Sequence, residues 1–325
     1  MTQLMAWVDQ AVAFRPHLTH NVVVAMGGVI AFLIVATLIG QGLALVKPGK
    51  FMNTVNTRIN AWWVMAGLLI GTLVLGKRAF IIFMGLVSFL ALKEFLSLVP
   101  TRRSDHRALF WTYGAIPVQY VALSKGWFGL FIVYIPLYHL LVGPLRLALR
   151  QETKGFVSST TNIHWGMMLT VFCLSHLAYM VTLGEDINPA GGGPGLVLWL
   201  LLLTQLNDVS QFLWGSTLGK RKILPQVSPN KTVVGLLGGV LNTTILGALT
   251  APYLSPFDTL KGALVGFFIG FAGFAGDIVM SSVKRDMGVK DTSDLIPGHG
   301  GILDRVDSLT YTAPVVFYII YFGWL

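Results

Sequence analysis

The densest group of reactive side chains lies between residues 281 and 308, just before the last apolar segment. Its carboxylates are Asp286, Asp291, Asp294, Asp304 and Asp307, and its cations are Lys284, Arg285, Lys290 and Arg305. The turn Pro297-Gly-His-Gly-Gly301 adds His299 between glycines, including Gly300, and glycines let the backbone approach a ligand closely. This mixture predicts a site for metal ions and phosphates. Phosphate contact, proton transfer and a flexible hinge are the alternative roles of His299.

Two further aspartates, Asp208 and Asp277, lie inside apolar stretches. An ionised carboxylate at membrane depth is costly unless it is paired or bound to a cation. In a helix, Asp277, Ser281 and Lys284 share one face because they are spaced i, i+4 and i+7. Asp277 and Asp291 offer hard oxygen ligands for Mg²⁺, which prefers carboxylates with substrate phosphates. The sequence thus predicts magnesium-assisted phosphate chemistry, with a basic partner or interfacial water as the alternative for each aspartate.

A second polar loop, residues 215–231, lies on the same side of the membrane as loop 284–308, because one helical hairpin separates them. Gly215-Ser-Thr-Leu-Gly-Lys-Arg221 is not a Walker P-loop, since one residue is missing between the glycines and Arg221 stands where Ser or Thr belongs. In Ser228-Pro-Asn-Lys-Thr232 we expect Ser228 to cap a helix, with Lys231 and Thr232 in its first turn. Free amides there would favour an anion, although an ordinary helix start has the same pattern.

The elements that must position these residues are membrane helices. The chain has 325 residues, of which 54% are hydrophobic and 11% charged, with a mean hydropathy of +0.70; soluble domains have about 25% charged residues. We expect an all-α integral membrane protein, a bundle of about nine or ten helices. The predicted spans are 21–46, 61–76, 79–98, 108–124, 127–148, 163–184, 195–214, 232–254, 260–283 and 309–325, and the second and fourth could each form one kinked or re-entrant segment with the span that follows.

The two halves of the chain differ in polar content. Residues 1–160 are predicted to be a transmembrane scaffold, and residues 161–325 a catalytic region. In the scaffold, the adjacent charges Lys93 and Glu94 favour an internal ion pair or a snorkelling lysine over a substrate role. Cys173, in the middle of an apolar span, is the single cysteine, so no intrachain disulfide can form.

The net charge of +9 lies mostly in alternate loops, which include both polar loops. By the positive-inside rule that side is cytoplasmic, the active site faces the cytoplasm and the N-terminus lies outside. Attraction to anionic membrane lipids explains the basic charge without nucleic acid.

One long motif resembles the signature of the phosphatidate cytidylyltransferases, or CDP-diacylglycerol synthases. It consists of Ser281-x-Val-Lys-Arg, followed by Lys290-Asp291, Ser293, Ile296-Pro297, His299-Gly-Gly-Ile and Asp304-Arg-Val-Asp307. The block Ser228-Pro-Asn-Lys-Thr232 is similar to that family's Ser-Pro-x-Lys-Thr. One departure is Val234, where the family usually has glutamate. The segments Arg58 to Trp63 and Pro100 to Ala108 resemble a paralogue branch.

The resemblance implies that CTP and phosphatidic acid give CDP-diacylglycerol and pyrophosphate. It implies Asp277 and Asp291 as ligands of Mg²⁺, with a second, monovalent cation as an open alternative, and a homodimer in a bacterial plasma membrane. The implied catalytic residues are Asp277, Lys284, Arg285, Lys290, Asp291, His299, Asp304 and Arg305. The implied substrate-binding residues are Asp208, Ser228, Asn230, Lys231, Thr232, Ser281, Gly300, Gly301 and Asp307. The alternatives are a CTP-dependent enzyme acting on another lipid phosphate or polyprenol, and an ion-coupled transporter.

Overall fold

The computed structural model describes residues 18–46, 49–100, 106–149, 151–296, 298 and 300–323. Its helices are α1 (His20–Val46), α2 (Lys50–Leu75), α3 (Lys77–Leu98), α4 (His106–Ser124), α5 (Phe128–Ala148), α6 (Phe156–Met180), α7 (Gly192–Thr217), α8 (Val233–Leu254), α9 (Thr259–Asp286), α10 (Leu303–Val306) and α11 (Leu309–Tyr321). A two-stranded antiparallel hairpin, β1 (Lys222–Leu224) and β2 (Ser228–Thr232), connects α7 to α8. The protein is the all-α membrane bundle that its composition predicts.

Eight helices of the described part, α1 to α3 and α5 to α9, are long and apolar enough to cross a membrane. With α4 and α11 they correspond to the ten predicted segments. Gly76, with φ of 104°, separates α2 from α3, and a turn with Gly126 at φ of 69° separates α4 from α5. Both pairs are therefore separate helices and not single kinked segments.

The predicted spans of α2 and α6 differ most from the structure. Helix α2 begins at Lys50, about three turns before the predicted start at 61, because the mixed polar and apolar residues 50–60 contain no proline or glycine to stop a helix. Helix α6 covers Phe156–Met180 and not 163–184. Apolar content predicts the part of a helix inside the membrane, and the starts of α2 and α6 extend beyond it into more polar sequence.

The apolar core fixes α11 and hence the residues that precede it. Helix α6 packs against α3, α4, α7 and α11 at the centre of the bundle. The rings of Phe131, Tyr179 and Phe317, from α5, α6 and α11, lie with centroids 4.9 to 6.1 Å apart. Such aromatic contacts add to the free energy of burial. Because α11 starts at Leu309, this cluster holds Asp307 and Ser308 at a defined depth.

Helices α7, α8 and α9 approach each other closely through glycines. A Cβ at Gly270 of α9 would lie 2.9 Å from Val240 Cα of α8, closer than two carbon atoms pack. At the centre of the three helices, Asn207 of α7 accepts a hydrogen bond from Thr243 Oγ1 of α8 (3.1 Å) and donates to Gly270 O of α9 (3.3 Å). These contacts fix the rotation of α7 about its own axis at Asn207, one residue before Asp208.

The hairpin corrects the helix start expected at Ser228. Ser228–Thr232 forms β2, paired with β1 in the register Lys222 with Thr232 and Leu224 with Ser228. Helix α8 begins at Val233, and Thr232 is its N-cap, since the Thr232 hydroxyl accepts from Gly235 N at 3.0 Å. Threonine serves as both a strand residue and a cap, so the helix starts four residues later than predicted.

Candidate active site

Three carboxylates gather where α7, α9 and the start of α11 meet: Asp208, Asp277 and Asp307. Ser308 Oγ donates to Asp208 Oδ2 at 3.1 Å, and a Cβ at Gly276, next to Asp277, would lie 2.5 Å from Asp307 O. Burial, together with the negative charges of Asp277 and Asp208, raises the pKa of Asp307 above its ordinary value. This cluster is a region of negative potential that favours a cation.

Among the ion pairs of the described residues, the one that involves this carboxylate cluster is made by Lys231, near the end of β2. Its Nζ lies 2.5 Å from Asp277 Oδ2 and donates to Gln211 Oε1 at 2.8 Å. Ser281 Oγ donates to the other oxygen of Asp277 at 3.2 Å, as the shared helix face predicts. The hairpin thus places Lys231 against the carboxylate of Asp277. The sequence assigns the hairpin and the loop after α9 to the same side of the membrane.

Two buried donors beside the cluster have no hydrogen-bond partner among the described residues: Arg305 Nε and Gln211 Nε2. Gln211 accepts from Lys231, and Arg305 precedes Asp307 by two residues, so both donors belong to segments that form the carboxylate cluster. Buried donors without a partner are rare in proteins, because each forfeits its hydrogen bond to water. Arg305 and Gln211 are therefore suited to bind oxygen atoms of an anionic substrate.

Residues 287–302, between α9 and α10, form the signature loop. Asp304, just after this loop, accepts from Lys284 Nζ at 2.6 Å, Thr292 N at 2.8 Å and Gly301 N at 3.0 Å. Burial opposes ionisation, but these donors and the charge of Lys284 outweigh it and lower the pKa of Asp304. Lys284 and Asp304 thus form a buried ion pair that connects α9 to the loop, and the ammonium already has a carboxylate partner.

Glu94 of α3 contacts the site region, although the sequence analysis did not include it among the site residues. Its buried carboxylate accepts four hydrogen bonds from the signature loop and the start of α10. Lys93 is exposed, so the two adjacent charges do not face each other, and the donors to Glu94 are all neutral. The charge of Glu94 inside an apolar helix was the available signal, but the sequence does not show which segment supplies its donors.

The other predicted residues lie at the rim of the site. Arg285 is exposed and donates to Val227 O and Val289 O, at 3.3 and 3.0 Å. Lys290, Asp291 and Asn230 are exposed, and Ser228 is partly buried in β2. Asp291 lies beside Gly300, whose φ is 78°. His299 lies outside the described residues.

The pair Asp277 and Asp291 stays the sequence prediction for Mg²⁺, and the carboxylate cluster offers Asp277 a second set of neighbours. The neighbours of Asp277 in the cluster are Asp208 and Asp307, whereas Asp291 is exposed on the loop. The described residues contain no group of three or more His, Cys, Asp or Glu side chains that could hold a metal alone. Mg²⁺ commonly takes one or two carboxylates and completes its shell with water and substrate phosphates, so this donor set suits it.

Comparison with known proteins identifies the chemistry. The profile of the cytidylyltransferase family matches residues 56–322. The chain is 31% identical over 245 residues to phosphatidate cytidylyltransferase of Staphylococcus aureus, with 74% of this chain and 89% of that protein covered. The identity is 42% over 193 residues to phosphatidate cytidylyltransferase of Aquifex aeolicus, covering 58% and 68%.

A third relative is the uncharacterized protein YnbB of Escherichia coli, 43% identical over 291 residues, which cover 89% of this chain and 95% of that protein. The family match spans most of the chain and includes both polar loops. The chain therefore belongs to the cytidylyltransferase family and is a membrane-bound nucleotidyltransferase.

Proposed function

We propose that this cytidylyltransferase converts CTP and phosphatidate into CDP-diacylglycerol and pyrophosphate. The observation that carries the proposal is the carboxylate cluster of Asp208, Asp277 and Asp307 facing Lys231 and Arg305 at one end of the bundle. A site with carboxylates for a cation and free donors for an anion suits a nucleoside triphosphate. Two relatives that carry the name phosphatidate cytidylyltransferase support phosphatidate as the acceptor.

The reaction is a displacement at phosphorus. An oxygen of the phosphatidate phosphate attacks the α-phosphorus of CTP, the bond from that phosphorus to the β-phosphate oxygen breaks, and pyrophosphate leaves with the bonding electron pair. The protein needs no covalent intermediate, because positioning and charge neutralisation supply most of the catalysis. The chain therefore has to bring two anions together against their repulsion.

The residues divide into cation ligands and phosphate ligands. Asp277, with one of its neighbours Asp208 and Asp307, would hold Mg²⁺, which when bound neutralises charge on the phosphates and on the departing pyrophosphate. Lys231 pairs with Asp277 without substrate, and it becomes free to bind a phosphate oxygen once that carboxylate holds a cation. Arg305 and Gln211 donate to phosphate through their unpaired nitrogens.

Other roles follow from the positions of the remaining residues. Lys290 and Arg285, both exposed, would bind outer phosphate oxygens of CTP. Lys284 and Asp304 orient the signature loop through their ion pair. Asp291 is the partner of Asp277 in the alternative magnesium site that the sequence predicts.

The membrane arrangement follows the charge asymmetry of the chain. The polar loops face the cytoplasm of a bacterial plasma membrane, the N-terminus lies outside, and the acyl chains of the lipid enter laterally between helices. Assembly as a homodimer remains a prediction.

A different lipid phosphate is the second candidate acceptor, because of Val234. Val234 is the second residue of α8 and follows the cap Thr232 by two positions. The family usually has glutamate at this position, so this chain lacks one carboxylate beside the proposed phosphate site. A lost negative charge would change which lipid headgroup is accepted there.

The test is an acceptor series with the purified protein in detergent. Labelled CTP and Mg²⁺ are incubated with phosphatidate, with a polyprenyl phosphate, or with no lipid, and CDP-lipid and pyrophosphate are measured together. We expect equal amounts of both products with phosphatidate and none without lipid. Product only with another lipid phosphate would support the second candidate, and no pyrophosphate with any acceptor would contradict both.

A further inference from the structure

The carboxylate of Glu94 joins the middle of the signature loop to the start of α10. Ser293 Oγ and Ile302 N donate to Oε1 at 2.7 and 3.0 Å. Thr292 Oγ1 and Leu303 N donate to Oε2 at 3.0 and 2.8 Å. Each oxygen therefore accepts from one hydroxyl in the middle of the loop and from one backbone amide at the start of α10.

We infer that Glu94 is a positioning residue for cytidylyl transfer, since its carboxylate fixes where α10 presents Asp304 and Arg305 to the active site. The amides that it binds, those of Ile302 and Leu303, are the first of α10. We call the four hydrogen bonds of the Glu94 carboxylate the tether. The catalytic part of this inference rests on the proposed function, whereas the existence of the tether does not.

A second carboxylate shares the tether with Glu94. Thr292 Oγ1 lies 3.0 Å from Glu94 Oε2 and 2.9 Å from Asp304 Oδ2. A hydroxyl has one proton, so it donates to one of the two carboxylates at a time. Glu94, Thr292 and Asp304 therefore form a connected network that continues to Lys284 of α9.

Gly301 shows how closely the carboxylate of Glu94 fits the loop. A Cβ at this position would overlap Thr292 Oγ1 and Glu94 Oε2. The second glycine of the pair Gly300-Gly301 thus makes room for a side chain of α3. This contact gives a physical reason for a glycine that the sequence had assigned to substrate.

A carboxylate is required because a backbone amide, which can only donate, faces each of its two oxygens. Glutamine has one acceptor oxygen and one NH₂ group, so it would turn a donor towards either the Ile302 or the Leu303 amide. The hydroxyls of Thr292 and Ser293 can rotate to accept, but a backbone N–H cannot. Glu94→Gln therefore breaks the tether at one amide and changes the side-chain volume little.

The test combines amide hydrogen exchange with kinetics on the full-length protein in detergent. For Glu94→Gln we expect faster exchange in peptides covering 290–306, with exchange in α8 and α9 unchanged. We expect kcat to fall by about 10²-fold, because small displacements of reacting groups cost rates of this order, with little change in the KM for CTP. Lys93→Gln, the exposed neighbour on the same helix, is the matched control and should match the parent in both measurements.

Smaller variants test the same tether if Glu94→Gln does not fold. Thr292→Val and Ser293→Ala each remove one donor and leave both α10 amides in place. We expect each to accelerate exchange in the same peptides and to lower kcat less than Glu94→Gln does.

Two results for Glu94→Gln would overturn the inference. The first is a kcat and an amide exchange rate over 290–306 that both equal those of the parent. The second is a lower midpoint of unfolding and faster exchange in all helices, while kcat per folded enzyme equals that of the parent. The second result would mean that Glu94 stabilises the bundle and positions nothing. A parent that makes no CDP-lipid would contradict the proposed function, and exchange alone would then decide whether the tether exists.

Discussion

Replacing Lys284 with methionine removes the cation of a buried ion pair and leaves the Asp304 carboxylate behind. The two side chains are only 11% and 3% exposed, and their charged atoms lie 2.6 Å apart. Removing one partner of a buried pair costs about 3–5 kcal/mol, because the remaining charge loses its compensation. We expect Lys284→Met and Asp304→Asn each to lower the free energy of unfolding by this amount.

The double variant separates the pair from the rest of the loop. Lys284→Met with Asp304→Asn removes both charges, while the asparagine oxygen still accepts from the loop amides. We expect it to cost less than the sum of the single variants by about 2–3 kcal/mol, the upper range of couplings between contacting residues.

Equilibrium unfolding in mixed detergent micelles measures all four proteins of this cycle. Lys290→Met, which removes an exposed cation of the same loop, is the control and should change stability by no more than about 0.5 kcal/mol. Strictly additive costs, or a Lys284→Met protein as stable as the parent, would refute the claim that these residues form a structural pair.

Three further predictions concern the cap and the titrating carboxylates. Thr232→Val removes the N-cap of α8 and should cost about 1 kcal/mol in unfolding experiments, whereas Thr232→Ser should retain most of that stability. The pKa of Asp304 is lowered by folding, so its stabilisation is present above the unfolded pKa of about 3.9 and is lost as pH falls below that value. The stability difference between the parent and Asp304→Asn should therefore be constant between about pH 5 and 8 and shrink only in acid. Because the pKa of Asp307 is raised, Mg²⁺ competes there with a proton, and Mg²⁺ titrations of the rate should show half-saturation at lower concentration as pH rises.

The helical parts of the fold and one face of the site were predictable from local patterns. Apolar length predicts the membrane helices, and the spacing of Asp277 and Ser281 predicts the hydrogen bond between them. Thr232 shows the limit of such patterns, since the residue types around it suit both a strand and a helix start. The hairpin register decides between them, and register depends on contacts that no local pattern encodes.

Contacts between distant segments account for what the sequence did not predict. Glu94 lies about 200 residues before its donors, and Asp208 and Asp307 meet Asp277 only because the glycines of α7 to α9 allow close packing. The prediction that Asp277 works with Asp291 used proximity in the chain. The structure places near Asp277 one carboxylate from α7, Asp208, and one from the turn before α11, Asp307.

Transfer of the labelled α-phosphate of CTP into lipid tests the central claim most directly, when the parent is compared with Asp277→Asn and Asp291→Asn in the presence of phosphatidate and Mg²⁺. The account predicts Mg²⁺-dependent labelled lipid from the parent and a loss of at least about 10²-fold in Asp277→Asn, since a cation ligand at the reacting phosphates is removed. It predicts a smaller loss in Asp291→Asn, because that carboxylate lies outside the cluster. Labelled lipid from Asp277→Asn at the parental rate would contradict the assignment of the reaction to this carboxylate cluster.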